Sequence, residues 1–246
     1  MVFSTKQKIY LVNRIAIVSF LIMMVYAPTL WITDKAFPVI SLFDFIPIPR
    51  QPIDYILAII FFSLLIAFYF KPKKIIGLTI VFLYIYLAII DQNRLQPYFY
   101  QNILIFLVVS YLRKSRKNTI IVLHCLMLLF IATYFFSGIH KININFDSVW
   151  DHAFSKRFSF LPEWFRFIFV RSIPYIEAII GLGLFFNKTR RLSVIAIIVM
   201  HLGITILLIA FGYGYNVIPW NLQNILSVYI LFWNYKSKYP FDIVTQ

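Results

Sequence analysis

The sequence predicts an all-α polytopic membrane bundle of about eight transmembrane helices with both termini cytoplasmic. Three observations predict it. Of the 246 residues, 61% are hydrophobic and 13% charged, with a mean hydropathy of +0.83, which leaves too little polar surface to coat a soluble globule. Charged or turn-rich breaks cut the apolar sequence into stretches near the length a helix needs to cross hydrocarbon. Lysine and arginine gather at alternate breaks.

Taken in order, the candidate spans are 15–32, 53–70, 75–90, 98–112, 119–139, 167–186, 192–211 and 222–233. The first follows a basic head of Lys6, Lys8 and Arg14, but its apolar length is that of a full span and no small-x-small cleavage site follows. It reads as a retained helix, not a signal peptide. The fourth and last spans are short and call for tilt, extension into their flanks or a thin membrane. With the N-terminus inside, segments 1–14, 71–74, 113–117, 187–191 and the tail after Asn234 hold most of the 23 basic residues, while the outer segments hold most of the nine acids. The net charge of +14 is then mainly a topology signal, and its scatter between spans argues against a nucleic-acid partner. What remains between spans has no room for a separate soluble domain, so residues 1–246 form one transmembrane domain.

The outer loops carry the more varied chemistry. One is Pro-rich (Pro38, Pro47, Pro49, Pro52), the next is 91–102, and the longest, 142–166, spaces Trp150, Phe154, Phe158 and Trp164 as short helices lying in the interface do. The segment 212–221 closes the set, with Pro97 and Pro219 placed to start the helices that follow them. A single cysteine, Cys125, excludes an intrachain disulfide and a C-x-x-C pair. Four histidines without ligand spacing predict no metal site.

Two ionisable residues fall inside predicted spans, Glu177 and His201. Placing either in hydrocarbon costs several kcal/mol unless it is paired or faces a cavity, so each is a functional candidate or a member of an interhelical pair. At the end of span five, Tyr134, Ser137 and Lys141 stand at i, i+3 and i+7 on one helical face, next to His140. Lys141 reads either as a site residue or as a lysine snorkelling to the interface. Asp91 and Arg94 read equally as a polar lid over a pocket or as turn residues, and Trp220 as part of an aromatic belt.

The stretch YFFSGIHKIN (134–143) resembles the motif of the horizontally transferred transmembrane (HTTM) domain of vitamin K-dependent gamma-glutamyl carboxylases, where a tyrosine and a glycine precede two basic residues. Glu177, Gly181, Phe185, Phe186, Arg190 and His201 follow the order of a second family pattern, and Asp91 matches an aspartate in a short outer turn. The resemblance implies a quinol-dependent oxygenase or carboxylase-type enzyme with an outward-facing pocket for a naphthoquinol of the vitamin K kind. Lys141 would be the base, taking the position of the second basic residue with His140 in the first. His201 would help form the pocket, Glu177 would hold His201, and Tyr98 and Asn221 would orient the ring oxygens, with Asp91 and Arg94 beside them. Tyr98 departs from the family, which has a histidine there, and a phenol is a poor proton acceptor at neutral pH. A second departure is the extramembrane domain by which the family holds its peptide substrate, whereas this sequence stops at Gln246 soon after its last span. The predicted boundaries also put Lys141 and His201 roughly 15 Å apart in depth at 1.5 Å per residue.

These departures support an alternative from another class: a noncatalytic membrane subunit that binds lipid or quinone and docks a protein partner through its outer loops. The lack of a cleaved leader and of glycosylation context favours a bacterial inner membrane, with the site on the periplasmic side, over the eukaryotic endoplasmic reticulum.

Overall fold

The computed structural model describes residues 3–35, 37–212 and 214–235. Among them there are nine α-helices and no strand: α1 (Thr5–Tyr26), α2 (Ile53–Phe70), α3 (Lys74–Ile90), α4 (Pro97–Ser110), α5 (Arg116–His140), α6 (Ile144–Arg157), α7 (Glu163–Phe185), α8 (Arg190–Phe211) and α9 (Ile218–Phe232). The chain is a helical membrane protein. Five helices, α1, α2, α5, α7 and α8, are long and apolar enough to cross a membrane, and α3 and α4 are shorter apolar helices. The basic tail after Asn234, which the topology expectation uses, lies largely outside the described residues.

The first span is displaced from its sequence-based bounds. It occupies Thr5–Tyr26, not 15–32, because Ser4 and Gln7 form a reciprocal capping box that starts the helix ahead of the basic residues. Lys8 is consequently buried inside the bundle, where its Nζ donates to the Leu231 carbonyl at 3.3 Å. At the other end Pro28 opens a 3-10 turn over Pro28–Trp31 that stops α1. The prolines at 97 and 219 do start α4 and α9, as first-turn prolines can because they have no N–H to leave unpaired. A short helix, α6, forms in the long aromatic loop.

α1 is the central post. It packs against α9, α4, α5 and α2, burying Ile9, Val12, Ala16, Ile17, Phe20 and Met23, and Phe20 is ringed by Trp31, Phe61, Tyr84, Phe99 and Phe106. The most extensive helix pair is α5 with α7. Two glycines make it close: a Cβ on Gly138 would lie 2.5 Å from the Ala178 nitrogen and the Pro174 carbonyl oxygen, and one on Gly181 would lie 2.6 Å from the Phe135 nitrogen. Small residues at such crossings let helix backbones touch where no hydrophobic drive separates helix from lipid.

One end of the bundle gathers the longer loops. Lys35 and Asp91 form a fully buried ion pair between the 27–52 loop and the end of α3, and Gln92 N donates to the Ile40 carbonyl at 2.7 Å. Arg94 donates to the carbonyls of Leu30 and Leu87, each at 2.8 Å, and its own carbonyl accepts from the Tyr84 hydroxyl. Burial lowers the Arg94 pKa, and the nearby Asp91, Asp54 and Tyr84 work in the opposite direction. Asp91 and Arg94 both clamp loop to helix end in the structure.

Candidate functional site

The closeness of α5 and α7 sets the depth register of the polar residues between them. Gly138 faces Pro174 and Ala178, and Gly181 faces Tyr134 and Phe135, so Glu177 comes level with the C-terminal end of α5. There Lys141, the C-cap of α5, donates through Nζ to Glu177 Oε2. Two turns deeper on the same face, Tyr134 reaches across to α8, where its hydroxyl lies 2.8 Å from His201 Nε2. His201 Nδ1 lies 2.6 Å from Asn221 Oδ1 on α9.

The proton placement follows from the donors. Asn221 Nδ2 is spent on the Val217 carbonyl at 3.0 Å, which turns Oδ1 toward His201, so the imidazole carries its proton on Nδ1 and accepts from Tyr134 at Nε2. Both ring nitrogens are engaged. The Trp220 ring stands edge-on to His201 with centroids 6.0 Å apart, and its Nε1 donates to Gln101 Oε1, whose amide nitrogen donates to Asn224 Oδ1 at 3.1 Å. Tyr134, Glu177, His201 and Asn221 are all buried, with Lys141 partly exposed.

The structure places four of the predicted residues in two groups on neighbouring helices: Lys141 pairs with Glu177, and two turns deeper His201 meets Asn221 and Tyr134. It corrects the role given to Glu177, which pairs with Lys141, while His201 is held by Tyr134 and Asn221. His140 is exposed at the helix end, and its carbonyl accepts from Asn143 Nδ2 at 2.7 Å. Tyr98 stands to one side, accepting from Asn216 Nδ2 at 3.1 Å with its ring 6.4 Å from Trp220. Asp91 and Arg94 belong to the loop clamp.

Sequence reasoning missed the amides. Gln101, Asn102, Gln223 and Asn224 are buried between α4 and α9, and Gln223 Nε2 donates to Asn102 Oδ1 at 2.5 Å. Their signal was present: four carboxamides inside two apolar stretches, each costly in hydrocarbon without a partner.

Residues 118–230 match the family model described as methylamine utilisation protein MauE. The match runs from α5 through most of α9 and so contains the whole Lys141–Glu177 and Tyr134–His201–Asn221 arrangement. No curated protein and no solved structure matches the chain. The resemblance to the HTTM domain and the vitamin K-dependent carboxylases is therefore corrected, since the MauE family is a different membrane family. The carboxylase-like, quinol-dependent reading falls with it. Short motifs of an aromatic face ending in basic residues recur wherever a hydrophobic helix meets the interface, and their shared order misled. Within the matched segment Lys141 and His201 are hydrogen-bonded to side chains of neighbouring helices.

Proposed function

We propose that the chain is a noncatalytic membrane subunit serving methylamine utilisation, which docks a protein partner on the loop end of its bundle. The reading is supported by the match of residues 118–230 to the methylamine utilisation protein MauE family. In it, α6 lies outside the membrane and the other eight helices cross, which makes one domain with both termini on the cytoplasmic side of a bacterial inner membrane and the loop end on the periplasmic side. The buried pairs are positioning residues: Lys141–Glu177 and Tyr134–His201–Asn221 fix α5, α7, α8 and α9 to one another and so hold α6 in place.

The observation that carries the docking is the apolar surface at the loop end. Phe45 is 82% exposed, Ile144 81% and Phe160 78%, and Val149 and Trp164 stand exposed around α6. Exposed apolar side chains gathered at one end of a molecule mark an interaction surface.

Affinity purification of the full chain from its native membranes should give a stoichiometric protein partner, lost when Ile144 and Phe160 are both changed to serine. Deleting the gene should abolish growth on methylamine as the nitrogen source. A chain that purifies alone from cells whose growth on methylamine survives the deletion would overturn the reading.

A further inference from the structure

α1, α2 and α9 bound a groove made of two cavities of about 430 Å³ each, which share Leu11, Arg14 and Tyr69 and so meet at Arg14. Each is within the range of small-molecule sites, roughly 300–1,000 Å³. One cavity is walled by Phe3, Tyr10, Phe70 and Pro72, the other by Ile15, Val18, Ile22, Leu222 and Leu226, so the groove is apolar over most of its length.

Its polar features are few and specific. The Arg14 guanidinium lies over the Tyr69 ring at 5.2 Å, and among the described residues no carboxylate pairs with it. Asn13 lines the first cavity and Ser19 and Gln223 the second; all three are more than nine-tenths buried, and Asn13 Oδ1, Ser19 Oγ and Gln223 Oε1 have no hydrogen-bond partner among the described residues. A buried polar group left unpaired forfeits its hydration without recompense, so an occupant that supplies donors to these atoms is favoured. Lys6, Lys71 and Lys73 are sequence neighbours of Gln7, Phe70 and Pro72, which wall the first cavity, and segments 1–14 and 71–74 contain no acid.

We propose that this groove is a binding site for one anionic membrane phospholipid that carries free headgroup hydroxyls. Its phosphate pairs with Arg14, whose planar fork suits a phosphate and whose face rests on Tyr69. A headgroup hydroxyl donates to Asn13 Oδ1. Ser19 is five residues beyond Arg14 along α1, about 7.5 Å at 1.5 Å per residue, where its hydroxyl donates to a glycerol ester carbonyl. An acyl chain then runs along Val18, Ile22, Leu222 and Leu226. The site is distinct from the loop-end docking surface and stands whether or not a protein partner binds there.

The test is native mass spectrometry of the purified full chain in detergent, titrated with phosphatidylglycerol, phosphatidylcholine or inorganic phosphate. The expected result is a single phosphatidylglycerol retained, with phosphatidylcholine and inorganic phosphate held about tenfold less well or not at all. Arg14→Gln and Asn13→Leu should each cut retention by about tenfold, and Lys188→Gln should not change it. Val18→Trp, which fills the groove from a lipid-exposed position, should abolish retention without touching the polar groups. Equal retention of the two phospholipids, several copies bound with no preference, or retention unchanged by Val18→Trp would reduce the groove to ordinary boundary lipid and overturn the proposal.

Discussion

Lys141 and Glu177 are paired but unequally placed: the lysine side chain is 32% exposed and the glutamate 7%. Removing one partner of a buried pair costs about 3–5 kcal/mol because the other charge is left buried and alone. Here that cost depends on which partner goes. Glu177→Leu leaves a lysine long enough to turn its ammonium toward water, whereas Lys141→Met strands a carboxylate in the bundle. Lys141→Met should therefore lower the melting temperature of the purified protein more than Glu177→Leu, and the double substitution should recover part of the loss. The reverse order would show that the pair is not the anchor described. At the neighbouring position, Tyr134→Phe takes the donor from His201 Nε2 in a buried setting and should cost about 1–3 kcal/mol, read by the same melt.

Those side chains meet because two helices come close. Gly138 and Gly181 each face backbone atoms of the opposing helix, which cannot swing aside as a side-chain end can. Valine at either position overpacks the α5–α7 crossing, with about 1–3 kcal/mol of strain as the usual cost. It should also separate Lys141 from Glu177, so a short bifunctional thiol crosslinker should join cysteines placed at 141 and 177 in a Cys125→Ser background with the glycines intact and fail to join them in Gly138→Val. Gly203 provides the comparison, since a Cβ there meets nothing within 4 Å. Gly203→Ala should leave both melt and crosslink unchanged.

For the whole molecule, the proposed topology of eight crossings would put the breaks at 71–73, 111–115 and 186–189 on one side of the membrane and α6 on the other. In the same Cys125→Ser background, cysteines at Lys114 and Lys188 should react with a membrane-impermeant thiol reagent only from the cytoplasmic side, and one at Asp151 only from the periplasmic side. Labelling of positions 114 and 151 from the same side would exclude this arrangement.

Composition and the spacing of charged breaks determined the class of protein and located most of the helices, because a backbone in hydrocarbon must satisfy its own hydrogen bonds and does so as helices. The same logic marked Glu177 and His201 as residues in need of partners, and the i, i+7 relation placed Tyr134 and Lys141 on one face. The start of α1 was also legible, in the Ser4–Gln7 spacing, but the lysines that follow disguised it. Tertiary structure alone decided who pairs with whom. A helix read from sequence has a face but no depth relative to its neighbours, and here that depth is set by the glycine contacts between α5 and α7, which bring Glu177 to Lys141 and leave His201 to Tyr134 and Asn221.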